Sequence, residues 1–239
     1  MKDDNHNVKK AAIQKYIEGK KEVQLLKESK NSKLKLGHIT SLKLNSVWNM
    51  EIFYLQKYYL KNHGYKYILC CIDIFTRYVY CEPMKSKEIG EVIKAFYMII
   101  KKNKPYIIIS DSDSTFLSKE FQKVLDKNEI ALNLVPIHDH HSLGVIDRFA
   151  RTIKTILHKR FIKYNDLNWV DNLHDIIKNY NNTPHSSIKN IKPNQATEKE
   201  NAAIIYELNY QKSKIKTTYK PEIFQIGDYV RVKITNKFF

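Results

Sequence analysis

The chain has 239 residues, 43% of them hydrophobic, which is enough for one substantial domain and a smaller appendage. Lys and Arg number 41 against 25 Asp and Glu, a formal net charge of +16; that excess points to a polyanionic partner, because each neutralised phosphate releases a counterion. The pattern argues against a membrane span, since no apolar run approaches ~18 residues, and against a disulfide framework or a zinc cage, since Cys70, Cys71 and Cys81 are odd in number and lie in apolar, strand-like segments.

Residues 1–42 are polar and basic, and the apolar positions Ala11, Ala12, Tyr16, Val23, Leu25 and Leu26 predict one or two helices there. The start, Met1-Lys2-Asp3-Asp4-Asn5-His6, lacks an apolar leader, so the expectation is an intracellular protein, in the nucleus or a viral replication compartment if the host is eukaryotic. Leu44 to Leu55 reads as a strand, followed by a polar turn at Lys61-Asn62-His63-Gly64. Tyr65 to Asp73 and Arg77 to Glu82 read as two more strands, and the three together predict an antiparallel meander. Val92, Ala95, Phe96, Ile99 and Ile100 recur at helical spacing. The short run Ile107-Ile108-Ile109 after Pro105 fits a buried parallel strand reached through that helix. Phe121, Val124 and Leu125 mark another helix, and Ile130 to Val135 another strand.

Residues 136–143 read as a loop that carries His138, His140 and His141. A long helix follows, with Ile146, Phe149, Ala150, Ile153 and Leu157 on its apolar face. Asp147, Arg151, Lys154 and His158 share a different face of it. Trp169 to Tyr180 predicts one more helix, ended by Asn181-Asn182-Thr183-Pro184. Beyond Pro193 the chain reads as a basic linker through Lys220, and Phe224 to Ile234 as a turn entering a strand. Strands first, then alternating helix and strand, then helices predict an α/β protein with a mixed sheet flanked by helices.

Three acids stand out against this pattern. Glu51 lies in the first strand, Asp111 closes the Ile107 run, and Asp147 opens the long helix, with 35 residues between the last two. Carboxylates at neighbouring strand ends and on a nearby helix are the hard oxygen donors that Mg²⁺ prefers. Two such ions, ~3.5–4 Å apart, are a common device for phosphoryl transfer on nucleic acid. Each acid taken alone is as well explained by a turn or a cap, as Asp111 is before Ser112-Asp113-Ser114-Thr115.

In order along the chain stand Trp48-Asn49-Met50-Glu51, then Gly64 to Leu69 and Ile72-Asp73-Ile74-Phe75-Thr76-Arg77-Tyr78, then Ile109-Ser110-Asp111-Ser112-Asp113-Ser114-Thr115-Phe116. Leu143 to Lys154 and Tyr180-Asn181-Asn182-Thr183-Pro184-His185-Ser186 follow. Across residues 44–197 this series resembles the retroviral-integrase-like DDE recombinases, the integrases of retrotransposons, large DNA transposons and viruses. The resemblance implies a ribonuclease-H-like core over 43–200, a helical N-terminal extension over 1–42, and a linker with a truncated SH3-like or chromodomain-like segment over 201–239. It implies metal-dependent cleavage of DNA ends followed by strand transfer. Glu51, Asp111 and Asp147 would be the catalytic residues and the ligands of two Mg²⁺ (or Mn²⁺) ions. Arg148, Arg151, Lys154, His140 and His141 would contact DNA, and the protein would work as at least a dimer.

The chain departs from the family pattern in three places. The acids read Glu, Asp, Asp where the usual order is Asp, Asp, Glu. Asp113 stands where a glycine is usual, which predicts either an adapted tight turn or an extra acid at the site. No His/Cys zinc module precedes the core within this sequence. These departures keep two alternatives in view, a catalytically degenerate, integrase-derived DNA-binding protein and a simple ribonuclease-H-type nuclease.

Overall fold

The computed structural model describes residues 39–101, 103–135 and 142–215. A five-stranded sheet has β1 (Val47–Tyr54) at its centre, in the order β3-β2-β1-β4-β5. β2 (Tyr67–Asp73) and β3 (Val79–Met84) continue from β1 as the expected antiparallel meander. β4 (Ile107–Ser110) and β5 (Ala131–Leu134) lie parallel to β1 on its other side. Each parallel step crosses over through a helix, as parallel pairing demands: α1 (Ile89–Ile100) before β4 and α2 (Lys119–Lys127) before β5.

Alternation along β1 sorts its side chains between two cores. Trp48, Met50 and Ile52 pack with Phe96 of α1 and Phe121 of α2. Phe53, with Ile68, Cys70 and Ile72 of β2, packs against α3 (Gly144–Tyr164) and α4 (Leu173–Asn181) on the opposite face. Trp48 and Phe149 are core residues, as their apolar settings predict: Trp48 stacks on Tyr80 at 4.8 Å, and Phe149 meets Tyr180 edge-on at 4.9 Å. The cysteines are free thiols in this sheet.

Two buried amides join distant segments. Asn62 accepts from the backbone N–H groups of Trp169 and Val170 and donates to the carbonyls of Tyr58 and Leu167. It docks the chain entering α4 onto the turn after β1, where Gly64 takes the left-handed backbone (φ 82°). Asn181 donates to and accepts from the backbone of Val79, so the last turn of α4 holds the start of β3.

The region expected to be a linker is in part a helix. α5 (Lys199–Ser213) buries Ile205 and Asn209, and Ile205 packs with Phe75, Ile188 and Ala196. Its inward stripe is narrow, with Ile204, Tyr206 and Tyr210 left exposed, so the amphipathic signal in its sequence is faint. The helix expected from Trp169 begins only at Leu173. No helix among the described residues is long and apolar enough to cross a membrane. The expectations for residues 1–38, for His138, His140 and His141, and for Phe224 to Ile234 lie outside the described residues.

Candidate metal and nucleic-acid site

Register places two of the acids. β1 and β4 run parallel with Met50 opposite Ser110. Glu51 and Asp111 each follow by one residue, so both stand at the same level of the sheet. Asn49 and Glu51 share the face of β1 that α3 covers, two residues apart along the pleat. Asn49 is fully buried and donates from Nδ2 to the Ser142 carbonyl at 3.3 Å, which ties this strand to the approach to α3. Asp147 then enters in the first turn of α3, where a carboxylate also meets the positive end of the helix dipole.

Electrostatics shows that the three acids share one neighbourhood. The Glu51 carboxyl is pushed up from 4.5 to about 7, first by burial, then by the charges of Asp147 and Asp111, with Lys154 opposing. Its Oε2 is buried and has no hydrogen-bond partner. Asp111 is exposed at the strand end, accepts from Ser110 Oγ at 3.4 Å, and is raised by desolvation and by Asp113 beside it. An orphaned carboxylate oxygen in the field of two more carboxylates is short of positive charge. The donor set therefore fits a hard divalent cation. Among the described residues, no three His, Cys, Asp or Glu side chains already stand as a ligand cage. The fit rests on donor chemistry and on the unpartnered oxygen.

Asp113 resolves as a turn residue, by a route other than a left-handed backbone. Its φ is not positive; Oδ1 accepts from Thr115 N at 2.9 Å, an Asx-type turn. Oδ2 accepts from Lys87 Nζ at 2.6 Å, and the same ammonium donates to Tyr54 Oη at 2.7 Å. Lys87 thereby pins the loop that follows Asp111 and holds the Asp113 carboxyl below its ordinary range. Asp73 is also structural, accepting from Thr76 Oγ1 at 2.6 Å and from the N–H groups of Thr76 and Phe75.

Arg151 and Lys154 are exposed on the Asp147 side of α3, and the pull of Lys154 on Glu51 puts that cation near the acids. Arg148 is exposed but acts on Arg77, Tyr180 and Lys212. A cavity of about 390 Å³ between α3 and α4, lined by residues such as Ile156, Arg160 and Tyr180, includes none of the three acids. Asp111 is exposed at the end of β4 and Asp147 is half-buried in the first turn of α3, whereas Glu51 lies on the central strand with Oε2 buried. Lys87 and Asn49 were missed in the sequence. The only signal for Asn49 was its period-2 relation to Glu51, and Lys87 left none.

Comparison with known proteins bears on the fold and the family resemblance. Residues 42–140, which carry Glu51 and Asp111, match the integrase core domain family. Over this segment the chain is similar to the integrase-like DDE recombinases. It is similar to a transposon-derived protein of Caenorhabditis elegans, 28% identical over 180 residues, covering 74% of this chain and 58% of that one. It is also similar to the Gag-Pol polyprotein of feline leukemia virus, 29% identical over 124 residues, covering 51% of this chain and 7% of the polyprotein. The chain thus spans less than two thirds of each of these relatives. Among solved structures, the simian T-cell lymphotropic virus intasome in complex with the PP2A regulatory subunit B56 gamma matches with a TM-score of 0.60 and 20% identity. That match covers 80% of this chain and 67% of the other. The mixed sheet with helices on both faces is the ribonuclease-H-like fold of integrase cores.

Proposed function

We propose that this integrase core cleaves the ends of an element's DNA and transfers the freed 3′-hydroxyl to target DNA, with Glu51, Asp111 and Asp147 holding two Mg²⁺ or Mn²⁺ ions. The observation that carries the reading is Glu51 Oε2, a buried carboxylate oxygen without a partner, pressed by Asp111 and Asp147. Bound divalent ions would supply charge neutralisation at the reacting phosphate and activation of the attacking oxygen. The chain's own residues do the positioning. Asn49 fixes the approach to α3 relative to β1, and Lys87 with Asp113 fixes the loop after Asp111. Arg151 and Lys154 offer backbone-phosphate contacts beside the acids, which set register without reading sequence. Holding the hydroxyl and the phosphate in line is the main demand of such a displacement. A working unit of at least two copies is part of the proposal and is read by light scattering.

The test is a Mg²⁺- or Mn²⁺-dependent nicking and strand-transfer assay on short duplex DNA, with Asp111→Asn as the control. Nicked and joined products that vanish in Asp111→Asn are expected. Nicking with no joined product indicates a ribonuclease-H-type nuclease. Tight DNA binding with no product in Mn²⁺, even after the paired change Glu51→Asp with Asp147→Glu, refutes the catalytic reading.

A further inference from the structure

Arg77 is a cation buried without adequate compensation. It sits in the turn between β2 and β3 with a left-handed backbone (φ 63°), a conformation that a side chain of this size rarely adopts. It is 8% exposed, and its Nη1 is buried with no hydrogen-bond partner. The acid acting on it is Asp73, whose carboxylate is already engaged by Phe75 N, Thr76 N and Thr76 Oγ1.

The surrounding charges have the same sign. Arg148 acts on Arg77, and Arg77, Arg148 and Lys189 all act on Lys212. Packing explains why four separate segments meet here. Phe75, two residues before Arg77, packs with Ile188 and with Ile205 of α5. Lys212 Nζ donates to the Ser187 carbonyl at 3.1 Å. Phe149 of α3 meets Tyr180, and Tyr180 meets His185 at 4.6 Å. The Nε2 of His185 is also buried and unpartnered. A fold does not gather like charges and an orphaned guanidinium donor around one saturated carboxylate for stability, because an unpaired buried charge is costly.

What satisfies such a cluster is a compact anion with several oxygens. A guanidinium offers a planar fork of donors that matches phosphate, and an ammonium adds a point charge. We propose that Arg77, Arg148 and Lys212 form a seat for a phosphate oxyanion, filled by a backbone phosphodiester of bound nucleic acid. Arg148 lies about 120° around the helix from Lys154, with Arg151 between them; what sets the seat apart is its partners, since Arg148 acts on Arg77 and Lys212 whereas Lys154 acts on Glu51. The source of the phosphate rests on the DNA reading above; the seat itself does not.

The test uses the full chain, melted in phosphate and in chloride at matched ionic strength, beside titrations of short duplex DNA across salt. Phosphate is expected to raise the melting temperature of the native protein beyond chloride. Arg77→Met should melt at or above the native protein in chloride yet gain nothing from phosphate, the opposite of what loss of a structural arginine gives. Lys212→Gln, on a half-buried side chain, should lose most of the phosphate increment and lower the slope of log K against log salt by about one. An unchanged increment and slope in Lys212→Gln overturns the seat, and this variant decides if Arg77→Met does not fold. A lost increment with an unchanged slope overturns nucleic acid as the source and leaves free phosphate as the ligand. A phosphate response in a native protein that binds no DNA keeps the seat and overturns the DNA reading.

Discussion

Replacing Glu51 with Gln should make the metal-free protein more stable at alkaline pH and change it little in acid. The Glu51 carboxyl is raised from 4.5 to about 7 in the fold. Below pH 4.5 it is protonated in both folded and unfolded chains and contributes no pH dependence. Between 4.5 and 7 the unfolded chain ionises while the folded chain keeps its proton, so stability falls as pH rises. Above 7 the full cost is present, about 3 kcal/mol for 2.5 pKa steps at ~1.4 kcal/mol each. Gln keeps the shape and cannot ionise, so it removes that cost. Urea unfolding in EDTA at pH 4 and pH 8 reads the difference; the variant should gain up to about 3 kcal/mol over the native protein at pH 8 and almost nothing at pH 4. Added Mg²⁺ should close the gap by stabilising only the native protein. An equal effect at both pH values, or a loss at pH 8, would refute the account of Glu51 as a buried, cation-seeking carboxylate.

Four further substitutions probe the supports of the site and its cations. Asn62→Ala removes an amide that serves four backbone groups, and about 3 kcal/mol of stability should go with it in urea unfolding. Lys87→Met frees Asp113 and Tyr54; hydrogen exchange over residues 113–117 should quicken roughly tenfold, the equivalent of about 1–2 kcal/mol of local opening. Arg151→Gln and Lys154→Gln should each weaken DNA binding across unrelated sequences and lower the salt slope by about one, and an unchanged slope would remove that residue from the interface.

The order of strands and the main helices were legible because each carried its own period. Val92, Ala95, Phe96, Ile99 and Ile100 are all buried, as their spacing requires. Asp111 stood out because it follows the strand Ile107-Ile108-Ile109-Ser110, and Asp147 because it interrupts the apolar entry Leu143-Gly144-Val145-Ile146 of an amphipathic helix. What stayed hidden depends on contacts across long separations. Asn62 and Trp169 lie 107 residues apart, and Asn181 and Val79 lie 102 apart, with no local pattern to pair them. α5 was hidden for a different reason, since a helix that buries one narrow stripe leaves its other apolar residues at the surface. For Asp113 the sequence left a tight turn and an extra acid both open, and the contact that decides for the turn is a side-chain hydrogen bond with an ion pair to Lys87, 26 residues away.

The exchange of acids between strand and helix has a definite geometric consequence. Relative to the usual Asp, Asp, Glu order, Glu51 extends the strand's carboxylate by one C–C bond, ~1.5 Å, and Asp147 withdraws the helix's by as much. The combined reach of the two side chains is unchanged, and the meeting point moves toward α3. The burial of Glu51 under α3 and its unpartnered Oε2 agree with an arm that crosses from the sheet toward the helix. If the two changes compensate, they must be tested as a pair. Glu51→Asp alone leaves two short arms and a gap, and Asp147→Glu alone crowds two long ones. A misplacement of ~1 Å can cost about a hundredfold, so each single variant should lose about that much in metal-dependent strand transfer. The double variant, which restores Asp, Asp, Glu, should recover much of the activity, and its Mn²⁺-induced rise in melting temperature should return with it. If the two losses multiply instead, Glu51 and Asp147 do not share an ion, and the compensating geometry is wrong.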